Sequence, residues 1–505
     1  MAPAGTENDD ADIAPGDSLS TRQLFARARP HFVRACTTLL LACSCPLAGA
    51  DSHTELVGGY EWIRVSKPAL ERYSADVLAK PDIPLYSREI VHRVRVLDLD
   101  WDIAGAVYEP QDGSVMPLGP DGKKIGIFLL HGGSGDHRSK DALARFLVAK
   151  FGVRVVTMSY PGRFNLESVS GDWPDDTIHA DGSVRTPVWK KGEIIGPDQY
   201  DVVRDQEESR RQRWGTLILA CAKPGTVFYD RMAGWPFAHE AGARELIEQY
   251  FPAREFSVYI HGHSTGGPMS MMLTQRIDNI VGVLGMESSP FGAIYGKMTR
   301  ELQGISEPWA MDFNCLRVRS WRDTARYTGF ELANDEGAAA LKRLAMIMER
   351  VHEDWNEKTT QPNFKAENIL HFDSPDALTA AAEAAAKRMQ FSAAETEALV
   401  QRYLGYLRGI SGSNVKPVPP IILIITNNSR DHMPEFYRQI YLPGYAAMLP
   451  APKVRLYQFD AGIHNYTAPE EGLPMGVAPA GAALWFAAIA NDYFLTNPLR
   501  GDRSQ

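Results

Sequence analysis

The sequence predicts an α/β protein. The expected architecture is a mostly parallel central sheet of about eight strands, flanked by helices, with a large helical cap inserted late in the chain. Three observations carry this. Continuous apolar runs of strand length recur at Ile125–Leu130, Phe256–Ile260, Asn279–Met286 and Pro420–Ile425, as strands buried on both faces require. Helix-compatible segments alternate with these runs, the pattern of a parallel sheet built from crossovers. One run, Phe256-Ser-Val-Tyr-Ile-His-Gly-His-Ser-Thr-Gly-Gly-Pro268, passes from strand through a glycine turn directly into a helix.

Length and composition set the bounds. A chain of 505 residues can bury a large core, in one decorated domain or two ordinary ones. Hydrophobic residues at 44% and charged residues at 23% are ordinary for a globular protein. The net charge of -9 provides no basic footprint for nucleic acid. No fixed-period repeat and no zinc-type Cys or His spacing occurs.

The first fifty residues stand apart. Met1 to Ser20 is acidic, small and proline-containing, a composition that does not fold alone. Arg22, Arg27, Arg29 and Arg34 then precede an apolar run from Ala35 that ends in Ala48-Gly-Ala50. Basic flank, short apolar region and small-residue box are the parts of a secretory signal peptide. The run is too short for a stable membrane span. The expected location is secreted or periplasmic. Leu40-Leu-Ala-Cys43 also fits a lipoprotein cleavage box, so a lipid anchor on Cys43 is the alternative. Beyond the leader only Cys221 and Cys315 remain. They can form one disulfide or stay as two thiols.

The elements follow in order. Val91–Leu97 and Trp101–Tyr108 read as an antiparallel pair opening the sheet. Ile125–Leu130 is a buried strand ending in the glycine loop His131-Gly-Gly-Ser-Gly-Asp-His137. Lys140–Lys150 is helical and Val153–Ser159 is the next strand. Residues 164–234 read as an insertion on the rim, with a turn at Asp181-Gly182 and a helix over Gln206–Cys221. Ala238–Tyr250 is the helix before the glycine-turn strand. Residues 293–418 form the largest insertion, with helical signals throughout: a cap at Asn334 or Asp335, Ser374-Pro375 at a helix start, and a capping box from Ser392 to Glu395. Val454–Phe459 is the last strand and Ala480–Phe494 the closing helix. The domain plan is therefore 1–50 leader, 51–292 first part of the core, 293–418 cap, and 419–505 second part of the core.

Gly262-His263-Ser264-Thr265-Gly266 fits G-x-S-x-G. A serine hydroxyl is a weak nucleophile. Held on a tight strand-to-helix turn, it stands clear of the backbone where a base can reach it. A glycine loop after an earlier strand lets main-chain N–H groups approach a substrate oxygen. The candidate oxyanion donors are the amides of Gly132 and Gly133, with Thr265 from the turn itself. A phosphate loop is disfavoured, because neither G-x-G-x-x-G nor G-K-[ST] is present. His464 follows the last strand and is the final histidine of the chain, which makes it the candidate base. Two carboxylates can serve as the third member: Glu287, directly after the strand ending at Met286, and Asp431, in the polar loop after Ile425.

These motifs resemble the α/β-hydrolase superfamily. Three runs, Gly262-His-Ser-Thr-Gly-Gly-Pro268, Met286-Glu-Ser-Ser-Pro-Phe291 and Asp460-Ala-Gly-Ile-His464, are similar to a branch of secreted bacterial esterases that takes its acid from a Glu after strand six. The likeness covers the core strands and leaves out 165–235 and 293–418. It implies a serine hydrolase of a small-molecule carboxylic ester, with Ser264, His464 and Glu287 as the triad and Asp431 as the alternative acid. It implies no metal and no organic cofactor, and it leaves the oligomeric state open. An amidase, peptidase or thioesterase would use the same parts, and a binding protein on a retired hydrolase fold would keep the shape without the turnover.

If the leader is cleaved as its parts suggest, the mature chain recovered from the producing cell begins near Asp51. N-terminal sequencing checks this. An intact Met1 start in a cytosolic fraction contradicts it.

Overall fold

The computed structural model describes residues 52–96, 98–111, 115–132, 135–162, 188–204, 218–222, 226–264, 266–288, 315–317, 392–398, 417–429, 434, 437–438, 442–447 and 451–495. In chain order these form β1 (Ser52–Val57), β2 (Tyr60–Val65), α1 (Lys67–Leu78), β3 (Leu85–Val96), β4 (Leu99–Pro110), β5 (Lys124–Leu130), α2 (Asp141–Phe151), β6 (Arg154–Met158), β7 (Tyr200–Arg204), β8 (Ile218–Ala222), α3 (Val227–Tyr250), β9 (Phe256–Gly262), α4 (Gly266–Arg276), β10 (Ile280–Met286), β11 (Cys315–Arg317), β12 (Ile421–Thr426), α5 (Leu442–Ala447), β13 (Val454–Phe459), β14 (Pro474–Val477) and α6 (Ala478–Ala490).

Ten strands make the main sheet, in the order β1-β2-β13-β12-β10-β9-β5-β6-β4-β3. β3 and β4 pair antiparallel along their whole length, from Leu85 opposite Pro110 to Val96 opposite Leu99, as the alternating patterns of that region predict. From β6 to β2 every pairing is parallel. The eight strands from β3 to β13 form the mostly parallel sheet that the sequence predicts, and β2 and β1 extend it at the far edge. The sheet is thus two strands wider than the sequence predicts. β1 and β2 precede every motif on which that expectation was built, and β1 leaves most of its side chains in solvent, so it carries no continuous apolar run.

The core follows the two-residue period of a strand. Ile125, Ile127 and Leu129 of β5, Tyr259 of β9, Leu284 and Met286 of β10, and Ile422 and Ile424 of β12 share one buried cluster with apolar residues of α1, α2 and α6. Their alternating neighbours, such as Phe128, Val258 and Ile260, are equally buried and point to the opposite face. There α3 lies against β3 and β4, and α4 against β9 and β10. Both faces are covered, which is why the central strands read as unbroken apolar runs rather than as alternation.

A second sheet, β11-β8-β7, is antiparallel. It corrects the predicted helix over Gln206–Cys221, because Ile218–Cys221 lie in β8. β-Branched and small residues there suit a strand as well as a helix, and pairing with a distant segment decides between them. That segment is β11. Cys315 stands opposite Cys221 in register, a backbone spacing that permits the one-disulfide alternative. The capping box at Ser392 forms as predicted: the Ser392 N–H donates to Glu395 Oε2 at 2.8 Å, and Glu395 N–H returns a bond to Ser392 Oγ at 3.3 Å. The other helical signals of 293–418, the turn at Asp181-Gly182, the leader and Cys43 fall outside the described residues. Among the described residues no helix is long and apolar enough to cross a membrane.

The parallel sheet has its switch point at β5 and β9. The chain leaves β5 for β6 on one side, while β9 pairs on the other, so the loops after these two strands open a crevice at their carboxyl ends. Close packing there depends on one glycine. A Cβ on Gly262 would lie 1.9 Å from the Gly266 carbonyl oxygen and 2.2 Å from its carbon. Backbone cannot yield as a side chain can. Gly262→Ala is therefore expected to prevent folding or to displace the turn and abolish turnover. Gly59→Ala is the control: its φ of 85° strains an alanine, but nothing lies within 4 Å, so it should fold at a cost of about 1–2 kcal/mol. Urea denaturation of both variants compares them.

Candidate active site

Ser264, two residues beyond the end of β9, sits at φ 51°, the left-handed region that a side chain rarely adopts. The strain, about 1–2 kcal/mol, is held by the turn's own bonds. His263 N–H donates to Leu130 O at 3.1 Å, Ser264 N–H to Glu287 O at 2.7 Å, Gly266 N–H to His263 O at 2.8 Å, and Gly267 N–H to Ser264 O at 2.9 Å. The serine is thereby tied to β5 on one side and to the end of β10 on the other. Its backbone makes a parallel bridge to Ser288.

Glu287 shares the same unusual conformation, with φ 50°. Its side chain is fully buried, and an isolated buried carboxylate is costly. Two partners offset the cost. Thr426 N–H, at the end of β12, donates to Oε1 at 2.7 Å. His464 Nδ1 lies 3.1 Å from Oε2. A carboxylate only accepts, so Nδ1 carries the proton. The Nε2 of His464 is then left as a lone-pair acceptor, the form a general base needs. His464 itself is about a quarter exposed, at 28% of its side chain, so its ring reaches both a buried carboxylate and solvent.

His263, inside the serine turn, braces His464. Its Nε2 donates to the His464 carbonyl at 3.0 Å, and the two rings lie 4.7 Å apart between centroids. Burial holds the His263 imidazole well below its ordinary pKa, and the nearby charge of Lys140 acts in the same direction. A neutral ring can keep the Nε2–H tautomer this bond needs.

The glycine loop after β5 closes on the serine from the opposite side. A Cβ on Gly132 would stand 3.2 Å from His263 Nδ1 and 3.3 Å from Ser264 Cβ, so its backbone lies against the nucleophile. The loop is pinned by His131, whose buried ring donates from Nδ1 to Gly132 O at 2.6 Å and accepts Tyr160 N–H on Nε2 at 3.3 Å. Gly135 N–H also donates to Gly132 O at 3.2 Å.

Of the sequence-predicted site residues, the structure brings Ser264, His464, Glu287 and Gly132 together. Gly133, Thr265 and Asp431 fall outside the described residues. Sequence reasoning missed His263 and the Thr426 amide. His263 sits in the G-x-S-x-G stretch, where only the glycines and the serine carry a spacing signal. A main-chain donor leaves no residue-type signal at all.

No family model matches this chain, and no curated protein matches it. Solved structures do. The acylaminoacyl peptidase of Pyrococcus horikoshii is similar at 11% identity and a TM-score of 0.33, over 81% of this chain and 41% of the peptidase. An open-form lipase matches at 14% identity and 0.33, over 81% and 99%. A cold-adapted esterase from an Arctic intertidal metagenomic library matches at 11% and 0.30, over 80% and 94%. This chain thus spans less than half the length of the peptidase. Likeness this loose transfers neither a residue's role nor a substrate.

The site rests on histidines kept neutral by burial. His261, in β9, has its pKa pushed down to about 3, first by burial and then by the charge of Lys140. Between that value and the ordinary 6.5 the unfolded chain binds a proton that the folded chain refuses. This contribution to stability is full above about pH 6.5 and is lost as pH falls toward 3. His261→Gln cannot take up that proton. It should show a shallower loss of stability than the wild type between pH 6.5 and 4, read as urea midpoints against pH.

Proposed function

We propose that the protein is an exported serine hydrolase that cleaves a carboxylic ester through an acyl-enzyme. One observation supports this above the others: His464 Nδ1 is engaged by a fully buried Glu287 carboxylate that is itself fixed by the Thr426 amide. Nothing in a purely structural role calls for a strained glutamate facing a partly exposed histidine beside a strained serine.

In this reading Ser264 Oγ attacks the ester carbonyl carbon and its proton passes to His464 Nε2. Glu287 stabilises the imidazolium without taking the proton. The carbonyl oxygen gains the negative charge and is met by main-chain N–H groups, for which the candidates are those of Gly132 and Gly133 with that of Thr265. The tetrahedral intermediate collapses, His464 gives its proton to the departing alkoxide, and the alcohol leaves. Water then attacks the acyl-enzyme by the same steps in reverse, releasing the acid and restoring Ser264. Every proton that leaves a nucleophile is returned to a leaving group, so no metal or organic cofactor is called for. A small-molecule ester is the substrate class, and no nucleic-acid partner is invoked.

Glu287 takes the acid role in this proposal and Asp431 does not. A fluorophosphonate probe should label Ser264, and Ser264→Ala should lose both labelling and turnover of a p-nitrophenyl ester. Glu287→Gln places an amide N–H against His464 Nδ1 and forces the wrong tautomer, so kcat should fall by roughly four orders of magnitude with the fold intact by circular dichroism. Asp431→Asn should cost at most about a hundredfold. The large loss falling on Asp431 instead would reverse the assignment. Turnover unchanged in Ser264→Ala would place the chemistry on another residue, and a wild-type protein with neither labelling nor turnover would favour a retired fold.

A further inference from the structure

Behind the serine turn lies a second buried polar chain that the reaction above does not use. Lys140, His261 and Tyr466 are all buried among apolar residues. Lys140 Nζ lies 3.4 Å from the Tyr466 hydroxyl. The same hydroxyl lies 2.9 Å from His261 Nε2, and His261 Nδ1 lies 2.7 Å from the Leu284 carbonyl. The chemistry of the ends sets the direction. A carbonyl only accepts, so His261 carries its proton on Nδ1 and offers a lone pair on Nε2. Tyr466 therefore donates its O–H to His261. Its oxygen then accepts from Lys140, which only donates. The chain runs one way from Lys140 through Tyr466 and His261 to Leu284.

Its members come from segments that must agree for the site to work. Lys140 ends the short 3-10 turn His137–Lys140 that follows the glycine loop. His261 is in β9, three residues before Ser264. Leu284 is in β10, three residues before Glu287. Tyr466 lies two residues beyond His464 in a loop without regular structure. That loop is anchored through Tyr466 on both sides: the Tyr466 carbonyl also accepts Val477 N–H at 2.9 Å and Ala478 N–H at 3.2 Å. The Tyr466 ring meets the His263 ring edge to face at 5.2 Å, and His263 in turn lies against His464 and bonds its carbonyl.

We infer that the Tyr466 hydroxyl is the positioning group of the base loop, joining the loop that carries His464 to the glycine-loop arm and to the nucleophile and acid strands. The inference rests on the triad reading above. Tyr466 touches no reacting atom in that reading. It acts through His464, by holding the imidazole against Glu287. Misplacement of a catalytic group by about 1 Å is enough to cost a hundredfold.

Tyr466→Phe keeps the ring and removes only the hydroxyl. Its kcat should fall about tenfold to a hundredfold, with KM within about twofold, because an ester is bound as before and meets a base less often in place. A change in stability alone would not divide in this way. The decisive comparison is made in the His464→Ala background. There Tyr466→Phe should leave the residual turnover unchanged, since the group it positions is gone. Should Tyr466→Phe fail to fold, Lys140→Met, with a smaller loss of the same kind, takes its place in both comparisons. A kcat within about twofold of wild type, or an equal loss with and without His464, overturns the inference. Ser264→Ala separates the two levels. If it retains turnover, the triad reading falls and this one with it. If it is inactive while Tyr466→Phe is unimpaired, only the role of Tyr466 falls.

Discussion

The buried carboxylate of Glu287 is the constraint on which the rest of the site depends. A negative charge removed from water must be met by donors at short range, and a main-chain amide at the end of β12 and the imidazole from the loop after β13 both meet this one. The left-handed backbone at Glu287 lets its carbonyl accept the Ser264 amide. One residue thus couples three strand ends. The alternative, an unpaired buried charge, costs several kcal/mol, more than the strain of the two left-handed residues combined. The local distortions at Ser264 and Glu287 persist because the pairing they permit outweighs them.

The same economy of space governs the turn. The nucleophile stands clear of the backbone only if β9 and α4 pass almost in contact, and the absent side chain at Gly262 is what lets them. Gly132 and Gly266 work in the same way, against Ser264 and the His131 carbonyl. Around these close approaches the protein places three imidazole rings, His131, His261 and His263, each bonded to a carbonyl through one ring nitrogen. Burial lowers the pKa of His261 and His263. They behave as rigid struts. The base loop, which has no regular structure of its own, takes its position from them and from Tyr466.

The legibility of the molecule in its sequence was uneven, for identifiable reasons. The central strands were readable because both faces of the sheet are covered, so each strand is a continuous apolar run. Ser264 was readable because a strained turn admits few residue types. β1 is an edge strand with no apolar run, and in β2 the exposed Arg64 breaks the run of Trp62, Ile63 and Val65, so neither reads as a buried strand. β8 was read as helix because its few residues carry no decisive period, and its partner β11 lies about a hundred residues away. The choice between Glu287 and Asp431 stayed open in the sequence, since both follow buried strands and both precede His464.

The sequence by itself determined the α/β class, the strands that form the centre of the sheet, the turn that presents Ser264 and the late histidine that could serve it. These depend on local period and on the few side chains that fit a tight turn, and both are written in neighbouring residues. Only the tertiary structure shows that Glu287 lies against His464, that Thr426 supplies a main-chain donor to Glu287, and that Lys140, His261 and Tyr466 meet behind the turn. Such contacts join residues up to more than three hundred positions apart, as Lys140 and Tyr466 are. Their geometry is set by the order in which parallel strands lie side by side, and no local pattern encodes that order.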